Sequence, residues 1–477
     1  MPWDGVAFVL YLLVVLAIGV ATSRRIGDAE DFHLCGRKLG PVTVSLSLAA
    51  TVFSGSGLIG GAGLAYSIGV SGSYWNLTAV PAWILIGMTL VMTMRRLRLR
   101  TVPGYLGERY GLRTRRLIAS LQIVEAVTFV AVQITVSRLA LETLFHMNGL
   151  AAALIVTAVF VAYTAMGGLW AVVWTDIVQY VVLMSAVVLG LTFALAHVGG
   201  LSGLHASLPA DRFSMGALGV QTPLAWFALC VYSWGTDQAY MQRAFAARDA
   251  STARTAYLFT GFTYLIFGVC VAGIGMAASV LVPGLHDPDQ AFPQLIARVI
   301  PNGLRGFFLT GILATTMSTA SAYLAASSSV LVQDVYEPLA GPGLHTRKLL
   351  RVSRYVTVLL AAAALAIALN FPNVVDAVIF STLVAPAAMF FPLVFALYRK
   401  HADPLAGFCA ILAGALAGVI DQVAVAGRPG LLGAINPLFA GPAIGLAVLL
   451  LVTALRGAQK SRPVQAPVLD NNDLGYG

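Results

Sequence analysis

Long apolar runs recur along the whole chain, separated by short polar segments. Each run is close to the roughly 20 residues that cross the hydrocarbon of a bilayer. The pattern predicts an all-α integral membrane protein with about thirteen spanning helices. They fall near 4–22, 42–67, 73–94, 117–139, 149–166, 174–195, 221–240, 255–282, 303–332, 350–370, 373–398, 404–426 and 434–455. No internal stretch is long enough for a second folded domain. The last segment, 457–477, is polar and contains prolines and two adjacent asparagines, so it is expected to be disordered. The first run lacks a basic n-region before it and a small-residue cleavage site after it, so it reads as a retained span.

Two of these spans are interrupted. The second carries Gly55, Gly57, Gly60, Gly61 and Gly63 within nine residues, next to Ser54 and Ser56. The seventh contains Tyr232-Ser-Trp-Gly-Thr-Asp-Gln238, polar and glycine-containing inside an apolar run. Irregular backbone at membrane depth is tolerated only where protein or a cavity covers it. Breaks at matching positions in two halves point to a transporter site. Taken alone, such glycines also serve close helix packing.

Composition and charge sharpen this picture. The chain is 58% hydrophobic and 10% charged, against about 25% charged in an ordinary soluble domain. Its net charge of +9 is explained by placement rather than by a nucleic-acid partner. With the N-terminus outside, the inner loops collect all of the 29 Lys and Arg except Arg138, Arg212, Arg298, Arg305 and Arg428. That is the asymmetry expected of a cytoplasmic face, and it predicts an N-out, C-in topology. The scarcity of Lys relative to Arg suggests a GC-rich bacterial genome and an inner-membrane location.

The ninth span supplies candidate chemistry. Thr315, Ser318 and Thr319 lie at i, i+3 and i+4 and share a helix face. Such a hydroxyl stripe suits a hard cation, and equally suits bonds to its own helix carbonyls or to a neighbouring helix. Asp176, at the start of the sixth span, fits a helix N-cap as well as an ion-staging acid. Asp237 and Glu125 are the other acids well inside spans, and each should face protein or water. Tyr74 and Trp75 fit an interfacial aromatic belt. Cys35, Cys230, Cys270 and Cys409 form no CxxC pair, and no histidine pair has metal-ligand spacing. Walker A, HExxH and GxSxG sequences are absent, so the chain is not expected to be an enzyme or an ATP-driven pump.

From Asp31 to Tyr336, and more weakly to Lys400, the chain resembles the sodium:solute symporter family. The residues that carry the resemblance are Asp31-Phe-His-Leu-Cys-Gly-Arg37, the break at Ser54-Gly55 and Thr101-Val-Pro-Gly-Tyr105. They continue with Gly167-Gly-Leu-Trp-Ala-Val-Val-Trp-Thr-Asp176, Thr236-Asp-Gln-Ala-Tyr-Met-Gln-Arg243, Met317-Ser-Thr-Ala-Ser321 and Gln333-Asp-Val-Tyr336. The resemblance implies a LeuT-like fold with two inverted five-helix repeats, alternating access, co-transported sodium and no organic cofactor. The domain plan it implies is an extra N-terminal helix and inner loop (1–40), a core (41–400) and two C-terminal helices (401–456). Within the core, the first repeat covers about 41–200 and the second about 215–400.

Carried over by that resemblance, sodium meets the carbonyls of Ala50, Phe53 and Thr315 and the hydroxyls of Ser318 and Thr319. Some members hold a second ion between the acid at Asp176 and hydroxyls one turn along the ninth span. Here Ser321 is present but Ala322 follows, so one sodium per cycle is expected. The solute pocket is expected near Ser54, Ser56, Gly57, Trp234, Asp237 and Ser381. Ser56 and Gly57 stand where the family's sugar transporters carry an acid and an amide. That weakens a hexose and favours a small carboxylate or an amino-acid-like solute. The alternatives are proton coupling through Asp176, Asp237 or Glu125, and a transporter-like sensor.

Overall fold

In hydrocarbon every backbone N–H and C=O needs an internal partner, which forces long apolar segments into helices. The computed structural model describes residues 2–301, 303–341, 346–370, 374–399, 401–421 and 437–456, and no side chain is described at 2, 3, 144, 374–384 or 437. Among the described residues there is no β-strand, only an isolated bridge between Leu39 and Ala247. The helices used below are α1 (Pro2–Ser23), α2 (Ala29–Leu34), α3 (Pro41–Val52), α4 (Gly61–Ile68), α5 (Ala79–Met88) and α6 (Leu112–Phe145). They continue with α7 (Gly149–Val198), α8 (Gln221–Thr236), α9 (Gln238–Ala246), α10 (Ala250–Leu281), α11 (Arg305–Val330), α12 (Thr346–Asn370) and α13 (Val374–Tyr398).

The structure holds eight helices long and apolar enough to cross a membrane, with three shorter apolar helices, among the described residues. Two of the long runs each contain a break, so the eight do not correspond one to one with the expected spans. Expected spans 149–166 and 174–195 fall on the two helices that meet at a kink at Gly168 (φ 50°, ψ −145°) within the 50-residue run α7. A Cβ there would lie 2.4 Å from the Phe32 carbonyl oxygen, so only glycine fits the bend. The far part of the second expected span joins the third in a single apolar run, Ser56–Arg96. The polar tail 457–477, with Lys460 and Arg462, lies outside the described residues, as do Lys400 and Arg428.

At the centre stands α11, flanked by α7, α6, α1 and α12. The span that contains it has 94% of its apolar window buried. Around it run the two broken spans. The first is α3, an irregular step at Phe53 and Ser54, a π-helical turn at Ser56–Gly60, and α4. The second is α8, an extended Asp237 (φ −69°, ψ 128°), and α9. Both breaks expected from the sequence are therefore present.

The end of α9 returns to the start of α3. Leu39 N–H donates to Ala246 O (3.2 Å), and Arg248 N–H donates to Leu39 O (2.9 Å). Not every basic residue assigned to an inner loop lies in water. Arg95, Arg109 and Arg243 are buried. Arg95 donates to the carbonyls of Ala247 (2.7 Å) and Arg248 (3.1 Å), and Arg109 donates to that of Arg399. Helix ends leave carbonyls unpaired, and these guanidinium groups satisfy carbonyls just past two of them.

Candidate functional site

The break after α3 works by redirecting particular N–H groups. In a continuous helix, Ser54 N–H would bond Ala50 O and Gly55 N–H would bond Thr51 O. Instead Ser54 N–H turns to Val52 O (2.7 Å), and Gly55 N–H goes to Gln133 Oε1 on α6 (3.2 Å). The N–H that would meet Phe53 O, that of Gly57, goes to Ser54 Oγ (3.3 Å). The carbonyls of Ala50 and Thr51 are thus left for another helix.

That helix is α11. Ser318 Oγ bonds both Ala50 O (2.8 Å) and Thr315 O (2.9 Å). Thr319 Oγ1 bonds both Thr51 O (2.9 Å) and Thr315 O (3.1 Å). Ala50, Thr51, Thr315, Ser318 and Thr319 all have zero exposure. Each hydroxyl has one hydrogen and two lone pairs, so oxygen lone pairs remain free while the hydrogen is shared. The result is a dry cluster of neutral oxygens, the donor set that hard cations prefer.

Of the residues expected to ligate sodium, Ala50, Thr315, Ser318 and Thr319 come together. Phe53 is fully buried and its ring stacks on Phe267 (4.5 Å, 3°), but no hydroxyl of α11 bonds its carbonyl among the described residues. The carbonyl of Thr51 was not anticipated. A signal existed, because Thr319 follows Ser318 as Thr51 follows Ala50.

Asp176 is placed differently from expectation. It sits inside α7, not at a helix start, so it caps nothing. Its Oδ2 accepts from Ser47 Oγ (2.5 Å), from Arg243 Nη2 (2.8 Å) and, at 3.5 Å, from Thr51 Oγ1. Arg243 and Asp176 are both fully buried. Arg243 also donates to Ser47 Oγ (2.8 Å) and to Ala239 O (2.6 Å). Ser321 Oγ points elsewhere and donates to Ser318 O (3.1 Å). The structure therefore pairs Asp176 with Arg243 rather than with Ser321. Thr51 links this ion pair to the hydroxyl cluster, through its own hydroxyl on one side and its carbonyl on the other. Sequence reasoning missed Arg243 because a basic residue just past an apolar run looks like a loop residue.

The expected solute residues gather around the two breaks. Ser54 Oγ and Ser56 Oγ are 2.8 Å apart. Trp75 Nε1 donates to Ser56 O (3.2 Å) and Asn76 Nδ2 donates to Gly57 O (3.1 Å). Trp75 thus packs on the break instead of serving only an interfacial belt. Trp234 stacks on Trp83 (4.6 Å, 16°) and approaches Tyr264 (5.8 Å). Tyr264 in turn meets Phe53 edge-on (5.2 Å), so aromatic rings connect one break to the other. Asp237 caps α9 through Ala239 N–H (2.8 Å) and accepts from Tyr323 (2.6 Å). Ser381 lies on α13, where its side chain is outside the described residues.

Comparison with known proteins places the chain in a family and agrees with its fold. The model of the sodium:solute symporter family matches residues 32–418. The human sodium/iodide cotransporter is 29% identical over 394 residues, covering 77% of this chain and 60% of that one. The high-affinity proline transporter PutP of Bacillus subtilis is 29% identical over 436 residues, covering 85% and 89%. Among solved structures, a Na+-coupled sialic acid symporter in a substrate-bound outward-open state superposes with a TM-score of 0.85. It is 19% identical and covers 97% of this chain and 99% of its own.

Proposed function

The chain belongs to the sodium:solute symporter family, and on that premise we propose that it imports a small polar organic solute together with sodium. It is a multi-pass integral membrane protein. The observation that carries the proposal is the pairing of Ser318 and Thr319 with the carbonyls that the first break sets free. An ion held there touches both the broken span and the central helix, so binding it changes how they pack.

The proposed cycle is alternating access. Sodium enters from outside, joins α3 to α11 and orders the solute pocket at the breaks. The inner ends of the broken spans are tied by Leu39, Ala246 and Arg248, and by Arg37 and Arg95. These ties must part for release inside. Each ligand must raise the affinity for the other by the same factor. The membrane potential supplies about 2.3 kcal/mol per charge per 100 mV. We place the N-terminus outside and the C-terminus in the cytoplasm, because the basic residues cluster on one side of the expected spans, and the protein in a bacterial inner membrane, because Arg so outnumbers Lys. The ion pair of Asp176 with Arg243 supports a single sodium, since it occupies the acid a second ion would use.

Uptake into proteoliposomes tests this. An inward sodium gradient should drive accumulation of one solute from a panel of amino acids, carboxylates and sugars. Accumulation driven by a proton gradient and indifferent to sodium would replace the sodium reading with proton coupling.

A further inference from the structure

The second break carries a cluster that the sodium site does not use. Glu125, on α6, is 2% exposed, and its Oε1 has no hydrogen-bond partner. Its neighbours along α6 reach the second break, where Tyr323 donates to Asp237 (2.6 Å). Gln122 and Phe129, at i−3 and i+4, share its helix face. Gln122 Nε2 donates to Thr236 O (2.9 Å), the peptide just before Asp237, while its Oε1 is buried with no partner. Phe129 stacks on Tyr323 (4.5 Å), and Tyr323 meets Tyr240 edge-on (6.0 Å).

Two carboxyl groups thus lie near the tyrosine rings; the Asp237 oxygens have donors, whereas Glu125 Oε1 and Gln122 Oε1 are buried acceptors without one. Arg243, the basic side chain whose field reaches Asp237, is committed to Asp176 at 2.8 Å. A buried charge without a partner is strongly unfavourable. Adding a carboxylate solute would bring a third anion and no donor. A neutral sugar would bring hydroxyl donors but no charge. A protonated amine brings N–H donors and a positive charge together, and the faces of the tyrosine rings attract such a cation.

We propose that Gln122, Glu125, Asp237 and the rings of Tyr240 and Tyr323 form a subsite for a protonated amine. The co-transported solute is then an amine or an amino-acid-like zwitterion rather than a simple carboxylate. This deepens the symporter reading and rests on it.

The test is thermal unfolding of the purified full-length protein in sodium chloride, against potassium chloride at equal ionic strength. Choline is avoided as the control cation because a quaternary ammonium ion is itself attracted to aromatic faces. The panel is the standard amino acids and aliphatic amines, set against carboxylates of matching carbon count and sugars. At least one amine-bearing solute should raise the midpoint above sodium alone, and its nitrogen-free counterpart should not. Glu125→Gln should weaken that amine about tenfold, as loss of a charge-assisted bond implies, and should leave the sodium response intact. If Glu125→Gln does not fold, Gln122→Leu should weaken the same amine several-fold. The subsite is overturned if no amine stabilises, if a nitrogen-free carboxylate does as well, or if the variant binds the amine like wild type. Equal responses to sodium and potassium in wild type would instead count against the symporter reading.

Discussion

Breaking the ion pair between Arg243 and Asp176 should damage the protein more than removing it whole. Both side chains have zero exposure and lie 2.8 Å apart. Arg243→Met removes the bonds to Asp176, Ser47 and Ala239. It leaves the buried Asp176 carboxyl with only the hydroxyls of Ser47 and Thr51. Stranding one partner of a buried pair costs about 3–5 kcal/mol. Asp176→Leu strands the guanidinium on Ser47 and Ala239, at a similar cost of about 3–5 kcal/mol. The double variant removes both charges and leaves an unsatisfied Ser47 hydroxyl, at about 1–3 kcal/mol. Additive singles would sum to about 6–10 kcal/mol, so a coupling of at least about 3 kcal/mol is expected. The assay is the unfolding midpoint in detergent of all four proteins in one buffer, with sodium present. A double variant less stable than either single would refute the reasoning.

Other changes have expected outcomes. Gly168→Ala places a Cβ 2.4 Å from Phe32 O at a positive φ, which should cost about 2–6 kcal/mol through strain and overpacking. A wild-type midpoint for that variant would mean α7 does not bend there. His33 sits on α2, between the first two spans, with Nε2 2.9 Å from Ser353 Oγ. Burial, with the field of Arg100 second, pushes its imidazole down to about 3. The folded protein keeps it neutral while the unfolded chain protonates it near 6.5. The stability it contributes is therefore complete above that value and lost as pH falls from about 6.5 towards 3. By pH 5 the loss is about 2 kcal/mol. His33→Gln should flatten the fall in midpoint between pH 7 and pH 5, and an unchanged slope would assign it to other groups.

The breaks were legible in the sequence because glycine and polar residues inside apolar runs have few other uses in a membrane. The hydroxyl stripe of α11 was legible for a similar reason, since helical spacing alone puts Thr315, Ser318 and Thr319 on one face. What periodicity could not show was which groups the break would redirect. Gln133 opens Thr51 O by taking Gly55 N–H, and that contact joins residues far apart in the chain. Arg243 was hidden by its position at the end of an apolar run, where snorkelling is the ordinary expectation. Asp176 looked like a cap because it opens the expected sixth span, whereas the helix already resumes after Gly168.

The central claim is that sodium binds between the first break and α11. It is tested most directly by the sodium-dependent shift in unfolding midpoint, in wild type and in the Ser318→Ala/Thr319→Ala variant. The substitutions remove the cross-helix bonds to Ala50 and Thr51, at about 1 kcal/mol each without sodium. Sodium at a hundredfold over its dissociation constant should stabilise wild type by about 2.7 kcal/mol. The account predicts that this increment, measured against potassium, vanishes in the variant while the fold persists. A variant that keeps the full sodium increment would contradict it.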